Sequence, residues 1–189
     1  LKQQLVKDRT FEFEPACRVT SLYRPFTKQW LYFNRRFNEM VYQMPRIFSD
    51  ASAENLVIQI SGGGARSFSV LMGAAIPCLD NIEKGQCFPL YLYDEAAQTA
   101  EDGLFAGRPE SGPRRRDAIT DAGLAHFQSA YPDKVISKED VFYYVYGILH
   151  SPDYRDRYAD NLSKELPRIP RVRSAAQFWA FSKAGRALA

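Results

Sequence analysis

Two segments of the chain concentrate the side chains best suited to binding chemistry. Residues 23–33 read YRPFTKQWLYF and residues 146–158 read YGILHSPDYRDRY, so each mixes aromatic rings, arginines and a proline. Guanidinium groups bind phosphates and carboxylates through paired hydrogen bonds, and they also stack on ring faces. Chemistry of this kind favours recognition of a large polar polymer over transformation of a small molecule.

Basic side chains are concentrated between residues 18 and 48, where Glu39 is the only acidic residue. The net charge of +3 and the sequence pI near 8.7 are too mild to establish nucleic-acid binding, whose usual footprint is a pI above about 9. Composition alone therefore favours an ordinary solvated surface and leaves a phosphate-binding surface as the functional alternative. The residues in question are Arg24, Lys28, Arg35, Arg36 and Arg46, together with the triplet Arg114, Arg115 and Arg116, which in a loop would follow a nucleic-acid backbone or merely keep the loop soluble.

The usual catalytic and cofactor-binding patterns are not apparent. A glycine run at 62–64 follows a buried-strand pattern, but phosphate-binding loops require GxGxxG or a terminal GK[ST], so we predict a tight hairpin there. His150 lies at a junction between two predicted helices, where an imidazole commonly caps a helix end. The carboxylates of residues 153–165 alternate with basic residues, which predicts a solvated, salt-bridged helix face.

Cysteine usage and hydropathy indicate a protein of a reducing, cytoplasmic compartment. Cys17, Cys78 and Cys87 are odd in number and lack CxxC spacing, so neither a zinc site nor a disulfide framework is expected. Mean hydropathy is −0.37, and no stretch approaches the roughly 20 apolar residues of a membrane span. Because the chain begins with Leu1 and has no charged-then-apolar leader, we expect no secretion signal and a piece cut from a longer protein.

Strand patterns dominate the first half of the chain. Residues 35–44 are predicted as a short helix that stops before Pro45. The expected result is a mixed or antiparallel sheet within residues 1–93. Its strands are the segments rich in aromatic and β-branched residues, namely 11–14, 18–22, 30–33, 56–60, 67–75 and 88–93.

A change of composition separates this sheet-rich part from a helical second half. Residues 94–116 have few large apolar side chains and predict a mobile loop. Residues 117–131 are then moderately periodic, and Ser137, Ser151 and Ser174 each stand where a helix N-cap is expected. We therefore predict an α+β fold, with a helical cluster over residues 117–189.

Five segments, taken together, resemble one family. They read YRPFTKQWLYFNRRFNEM, FSVLMGAAIPCLD, GQCFPLYLYDE, VFYYVYGILHSPDYRDRYADNLSKELPRIPRV and FWAFSKAGRALA. In this order they resemble the C-terminal specificity region of type ISP restriction–modification enzymes, over roughly Leu22 to Arg186 with an interruption at 94–116. Several matches in the same order make the resemblance more specific than any single motif.

The resemblance implies a role that composition does not show. Members of that family are large bacterial chains that join a nuclease, a helicase-like ATPase, an adenine-N6 DNA methyltransferase and a target recognition domain, with S-adenosylmethionine, ATP and Mg as cofactors of the full-length protein. This segment has no Asn-Pro-Pro-Tyr motif, cofactor glycine motif, Walker lysine or nuclease carboxylate–lysine pattern. We therefore expect it to be non-catalytic and to hold no cofactor, and, since family members continue past the last helix, to be C-terminally truncated.

The expected function is DNA target recognition, with double-stranded DNA and the other domains of the same chain as partners. The eight basic residues named above are predicted to contact DNA, some positioning the backbone and others reading base edges. Because the family does not fix which side chains touch bases, this choice of residues rests on electrostatics. The alternative is an interaction module whose tyrosine-rich helices dock on the methyltransferase or motor domains without base readout.

Overall fold

A computed structural model describes residues 10–94 and 114–189. The fold is α+β, as predicted, with short strands in the first half and helices in the second. The strands are β1 Arg18–Arg24, β2 Thr27–Tyr32, β3 Val57–Ile60, β4 Val70–Gly73, β5 Ile76–Pro77, β6 Gln86–Pro89, β7 Tyr91–Asp94 and β8 Arg114–Asp117. The helices are α1 Met44–Ile47, α2 Asp121–Gln128, α3 Lys138–His150, α4 Pro152–Arg157, α5 Ala159–Leu162 and α6 Ala175–Leu188.

The strands of the described residues are divided among three small sheets. The first has the order β2-β1-β5, the second β4-β3-β6, and the third is the pair β7-β8. The β1–β5 pair is parallel and the other pairs are antiparallel, so the first sheet is mixed. The predicted strand at 88–93 is in fact two strands, because β6 and β7 pair in different sheets on either side of Leu90.

Strand β3 is buried on both faces and joins two hydrophobic cores. Ile58 and Ile60 pack into the large core formed with the helices. Val57, whose side chain points the opposite way, packs into a smaller core with Val19 of β1 and Ile47 of α1. A strand covered on both sides has a continuous apolar sequence, which is why the run at 56–60 was predictable.

Helices α3 and α6 cross with their backbones in direct contact. A Cβ added to Gly147 would lie 2.2 Å from a carbonyl oxygen of α6, and one added to Gly185 would lie 2.0 Å from a carbonyl oxygen of α3. This close approach lets the rings of Tyr144 and Phe178 stack at 4.8 Å between the two helices, where neither is solvent-exposed. The two glycines therefore set the helix spacing that closes the larger core.

Helix starts agree with the predicted caps. Ser137 and Asp140 form a reciprocal capping box at the start of α3. Ser151 accepts a hydrogen bond from the Tyr154 N–H at the start of α4, with Pro152 in the first turn, and Ser174 caps α6 in the same way. The predicted helix from residue 117 begins later, at Asp121, because the Thr120 hydroxyl caps it there.

Two predicted elements of the first half are wrong. Residues 11–14 form no strand, because Phe11 and Phe13 pack instead on rings of the β2 end and the loop after it. Residues 35–43 form no helix, and Met44 is the first residue of α1. Asn34 accepts a hydrogen bond from the Arg36 N–H and folds the chain into an Asx turn, and Pro45 occupies the first turn of α1 instead of ending a helix.

Both ends of the loop predicted at 94–116 belong to β-strands instead. Asp94 is the last residue of β7, and Arg114–Arg116 form most of β8, paired antiparallel to β7. The remainder of that prediction, residues 95–113, lies outside the described residues. Within residues 10–94 and 114–189, no helix combines the length and the hydrophobicity needed to cross a bilayer.

Candidate nucleic-acid interface

The hairpin of β1 and β2 projects from the first sheet as a two-stranded ribbon. Only Ser21 and Leu22 of β1 pair with β5, and the Cys78 thiol donates to the Tyr23 carbonyl oxygen at 2.7 Å. Beyond that contact the two strands pair only with each other. Pro25 and Phe26 alone connect the two strands. The register shifts between Leu22 and Arg24, which is a bulge that strengthens the local twist.

Exposed cations and rings cover this ribbon. Arg18 lies over the indole of Trp30 at 5.2 Å, and the guanidinium of Arg24 lies over the Tyr23 ring at 5.3 Å. Trp30 is 71% exposed and Phe26 is 88% exposed. Planar groups that are stacked but still exposed can bind a further planar or anionic partner.

The sign of the local potential follows from the sequence of the ribbon and the loop after it. Between Glu14 and Glu39 the chain carries five cations and no carboxylate. The cations are Arg18, Arg24, Lys28, Arg35 and Arg36. A surface of one charge sign raises the local concentration of an anionic polymer, even though the whole chain is nearly neutral.

The Asx turn at Asn34 determines how Arg35 and Arg36 are presented. The Asn34 N–H donates to the Asn38 carboxamide oxygen at 3.0 Å, and the Arg36 N–H donates to the Asn34 carboxamide oxygen at 2.8 Å. Phe37 packs edge-on against Tyr32 at 5.5 Å, which ties the turn to the end of β2. The two arginines are exposed on this anchored turn, and the Arg36 guanidinium lies 5.6 Å over the Phe11 ring.

A second group of the predicted residues is organised by one carboxylate. Asp94 accepts hydrogen bonds from Arg46 at 2.7 Å and from Arg116 at 2.5 Å, which ties α1 to the β7–β8 pair. These two guanidinium groups hold the pKa of Asp94 below its usual range, so the carboxylate stays charged. Arg46 and Arg116 are therefore partly neutralised and support the local structure.

Arg114 and Arg115 lie on the same strand as Arg116. Arg115 stacks over the Tyr91 ring at 4.3 Å, and Arg114 is exposed at the end of β8 nearest residues 95–113. The structure thus brings the eight predicted residues into three sets: Arg24 and Lys28 on the ribbon, Arg35 and Arg36 on the Asx turn, and Arg46 with Arg114, Arg115 and Arg116 around Asp94 and β8.

The eight predicted residues leave out three exposed residues of the ribbon, although two of them, Phe26 and Trp30, lie in the segment 23–33 that the sequence analysis singled out. Arg18 and Trp30 form a cation–ring stack, and Phe26 occupies the turn. Cross-strand register places Trp30 opposite Thr20, next to Arg18 on the same face. For Phe26 the sequence does contain a clue, the order Arg-Pro-Phe-Thr. In a turn with proline at its first central position, the next residue occupies a position that favours glycine or asparagine.

The tyrosine-rich segment of the second half is structural. The Tyr144 hydroxyl donates to the Pro170 carbonyl oxygen at 2.6 Å, and the Tyr154 hydroxyl donates to the Arg168 carbonyl oxygen at 3.0 Å. The rings are buried in the large core, and burial raises the pKa of Tyr144 to about 12. These side chains hold residues 168–172 on the helices, so a docking function needs another surface.

His150 is also part of the packing. Its ring meets Tyr146 edge-on at 4.7 Å, and its Nε2 is buried without a hydrogen-bond partner among the described residues. Burial, and then the charge of Arg155, lower its pKa. The imidazole is therefore neutral near pH 7.

The glycine run lies in the connection between β3 and β4, as the hairpin prediction required, although that connection is nine residues long, from 61 to 69. The Gly62 N–H donates to the Glu83 carbonyl oxygen, and the Gly64 N–H donates to the Ser163 carbonyl oxygen at 2.9 Å. Backbone donors that already have partners cannot cradle a phosphate. Among the described residues, no group of three or more His, Cys, Asp or Glu side chains is placed to hold a metal ion.

The fold and this surface define a class: a small α+β module that exposes cations and ring faces on a ribbon and an adjoining turn. The chain belongs to the Type ISP C-terminal specificity domain family, whose model matches residues 1–189. The resemblance inferred from the sequence is thereby confirmed. No match was found among curated protein sequences.

Solved structures of similar proteins cover almost the whole chain. One is a DrdV–DNA complex, 40% identical, with a TM-score of 0.80 over 96% of this chain. The second is the ATP-dependent Type ISP restriction–modification enzyme LlaBIII bound to DNA, 27% identical, TM-score 0.79 over 98%. The third is a nuclease-deletion mutant of the Type ISP enzyme LlaGI with a DNA substrate mimic, 31% identical, TM-score 0.72 over 98%. The chain spans 16%, 11% and 14% of those three proteins.

Proposed function

We propose that this chain is the DNA target-recognition module of a restriction–modification enzyme. The observation that carries the proposal is the run from residue 15 to residue 38, with five cations and no carboxylate, folded into an exposed ribbon and turn. Binding to duplex DNA is governed largely by such cation–phosphate contacts. Membership in a specificity-domain family and similarity to three proteins solved with DNA support the same conclusion.

The ribbon suits the major groove of DNA. That groove, about 12 Å wide, admits a two-stranded β-ribbon and displays a distinct pattern of donors and acceptors for each base pair. Arg24 and Lys28 flank the turn of the ribbon, and Arg35 and Arg36 follow on the Asx turn. We assign phosphate contacts to these four residues, and base contacts to side chains near the turn.

The remaining predicted residues have a secondary part in this proposal. Arg46 and Arg116 share Asp94, so each brings less charge to a phosphate than an unpaired arginine would. Arg114, at the exposed end of β8, and Arg115, stacked on Tyr91, are better placed to extend the positive surface. All eight residues stay in the proposal, and those of the ribbon and the Asx turn are expected to contribute most to DNA binding.

The whole enzyme is part of the proposal as well. We infer a full-length bacterial, cytoplasmic protein in which this module directs an adenine-N6 DNA methyltransferase, an ATPase and a nuclease, using S-adenosylmethionine, ATP and Mg. This module corresponds to only 11–16% of the length of the three similar chains, which leaves room for those domains. This chain would supply target binding and no chemical step.

The test is the salt dependence of DNA binding. The 189-residue chain is titrated by fluorescence anisotropy against a labelled pool of 30-bp duplexes with a randomised core, from 50 to 200 mM salt. Each phosphate that a cation neutralises contributes about 0.9 to the slope of log K against log salt. The double variant Arg24→Ala/Lys28→Ala should therefore lower the slope by roughly 2, and Arg35→Ala/Arg36→Ala should weaken binding further.

A matched control separates specific contacts from net charge. The double variant Arg173→Ala/Lys183→Ala removes the same charge from exposed positions of the helical part and should leave the slope unchanged. No binding of the pool at 50 mM salt, or equal losses in the ribbon and control variants, would contradict the proposal.

A second role is favoured by an apolar groove on the sheet-rich part. Met40, Tyr42 and Leu79 are each about two-thirds or more exposed around a groove of about 480 Å³. Several exposed apolar side chains around one groove mark an interaction site. We infer that another domain of the same full-length enzyme covers it, given how little of the neighbouring chains this module spans. A photo-cross-linker at Tyr42 of the full-length enzyme should couple within the chain. Coupling to DNA or to a second copy would refute this.

A further inference from the structure

Phe26 holds a backbone conformation that large side chains avoid. It is the second of the two residues in the β1–β2 turn, after Pro25, and its φ is +66°. Proline at the first position and a positive φ at the second are the features of a type II turn, whose second position favours glycine or asparagine. A bulky residue there is an outlier and points to a constraint other than the turn itself.

Packing does not account for the ring. Phe26 is 88% exposed, so its apolar surface contributes almost nothing to the folded state. The strain and the exposure are both unfavourable in the isolated chain. A feature with this combination is expected where a partner meets the molecule, because the partner then buries the ring.

The residues near Phe26 indicate which kind of partner would bury its ring. Arg24 pairs with Thr27 across the turn and Lys28 pairs with Leu22, so a cation stands two residues before and two residues after Phe26 in the ribbon. The neighbouring Tyr23 is half-exposed. An exposed apolar ring at the tip of a narrow ribbon, flanked in the chain by two cations, has the groups that a wedge needs: cations that bind phosphates and a ring that contacts bases.

We propose that Phe26 is a wedge that inserts at a base step of the bound DNA, partly unstacking it. The inference rests on the proposed DNA-binding function and adds a residue that determines specificity. Steps that unstack with least cost, such as pyrimidine–purine steps, are then preferred at the wedge position without any hydrogen bond to their edges. The strained turn presents the ring to the DNA before binding, so little conformational freedom is lost on contact.

The test uses two 20-bp duplexes that differ at a single base, so that one is fully paired and the other has a central T·T mismatch. Wild type should bind the mismatched duplex several-fold more tightly, because unstacking costs least at a mispaired base. Phe26→Gly removes the ring and suits the turn. It should weaken binding to both duplexes by roughly 5- to 150-fold, the range of one base–ring stack, and should abolish the preference. Phe26→Trp should retain both.

Two further measurements keep the outcomes distinct. The salt slope of Phe26→Gly should equal that of wild type, because no charge is removed, and its melting temperature should not fall. If wild type fails to bind either duplex at 50 mM salt, the proposed DNA-binding function itself is refuted. If wild type binds and Phe26→Gly binds equally well with the same preference, only the wedge is refuted, and the ring is assigned to a protein contact.

Discussion

Replacing Gly147 by alanine should strongly destabilise the chain, because no space exists for the new methyl group. The added Cβ would lie 2.2 Å from the carbonyl oxygen of Phe181, whereas ordinary contacts begin near 3.4 Å. The clash is with backbone on a facing helix, so no side-chain rotation can relieve it. Helices α3 and α6 would have to separate locally by about 1.2 Å, the difference between those two distances.

The energetic cost follows from what that separation does to the core. Tyr144 and Phe178 are fully buried between the same helices, and a gap of 0.5–1 Å forfeits about a quarter to a half of each dispersion contact. Overpacking typically costs about 1–3 kcal/mol, and a backbone clash belongs at the upper end. Alanine gains about 1 kcal/mol of helix propensity over glycine. The net loss should be about 2 kcal/mol, or roughly 4–8 °C in melting temperature for a domain of this size.

Urea unfolding followed by circular dichroism measures this change. Gly123→Ala, in helix α2, is the matched control, because its Cβ would meet only the Thr120 hydroxyl at 3.3 Å and the Ile119 side chain at 3.5 Å. The control should change the free energy of unfolding by less than about 1 kcal/mol. If Gly147→Ala matched wild type within about 0.5 kcal/mol, the inferred backbone contact between α3 and α6 would be wrong.

Two other predictions concern buried polar groups. Asn55→Leu should lower the free energy of unfolding, measured in urea, by about 2–4 kcal/mol. The Asn55 amide donates at 2.8 Å to the carbonyl oxygens of Ile47 and Tyr91, and leucine would leave both without this partner. A loss below about 1 kcal/mol would contradict the prediction. For His150, burial lowers the folded-state pKa below 6.5, so the unfolded chain binds the proton more readily and stability should fall as pH drops from 7 to 5. Thermal melts should show His150→Gln reducing this dependence and His126→Gln, at an exposed site, retaining it.

The helical half was predictable because its signals are local. Ser137, Ser151 and Ser174 each precede a helix, and each accepts the backbone hydrogen bond expected of an N-cap. The failures in the first half come from tertiary contacts. A short helix was predicted at 35–44, yet the side chain of Asn34 accepts a hydrogen bond from the Arg36 N–H and Phe37 packs on the Tyr32 ring. Local sequence does not reveal which rings will be nearby.

The same limit applies to the candidate site. Sequence alone marks Arg24, Arg46 and Arg116 as equivalent cations in basic segments. In the folded chain Arg46 and Arg116 converge on Asp94, and Arg24 lies on the ribbon over a tyrosine ring. Asp94 is 48 residues from Arg46 in sequence, so no spacing rule could have paired them. Net charge of a segment predicts a positive surface, whereas the fold decides which of its cations remain available to a phosphate.

The ribbon is useful for recognition only if its position is fixed, and the packing provides for this. Val19 of β1 and the partly buried Leu31 of β2 are cross-strand partners that enter the smaller core. Val57 lies in that core, while the next residue of β3, Ile58, lies in the large helical core. The ribbon is thus connected through β3 to the most buried part of the molecule. Contact residues on strands anchored in this way keep their geometry better than residues on loops, so target specificity should be more sensitive to changes in β1 and β2 than to equal changes of charge elsewhere.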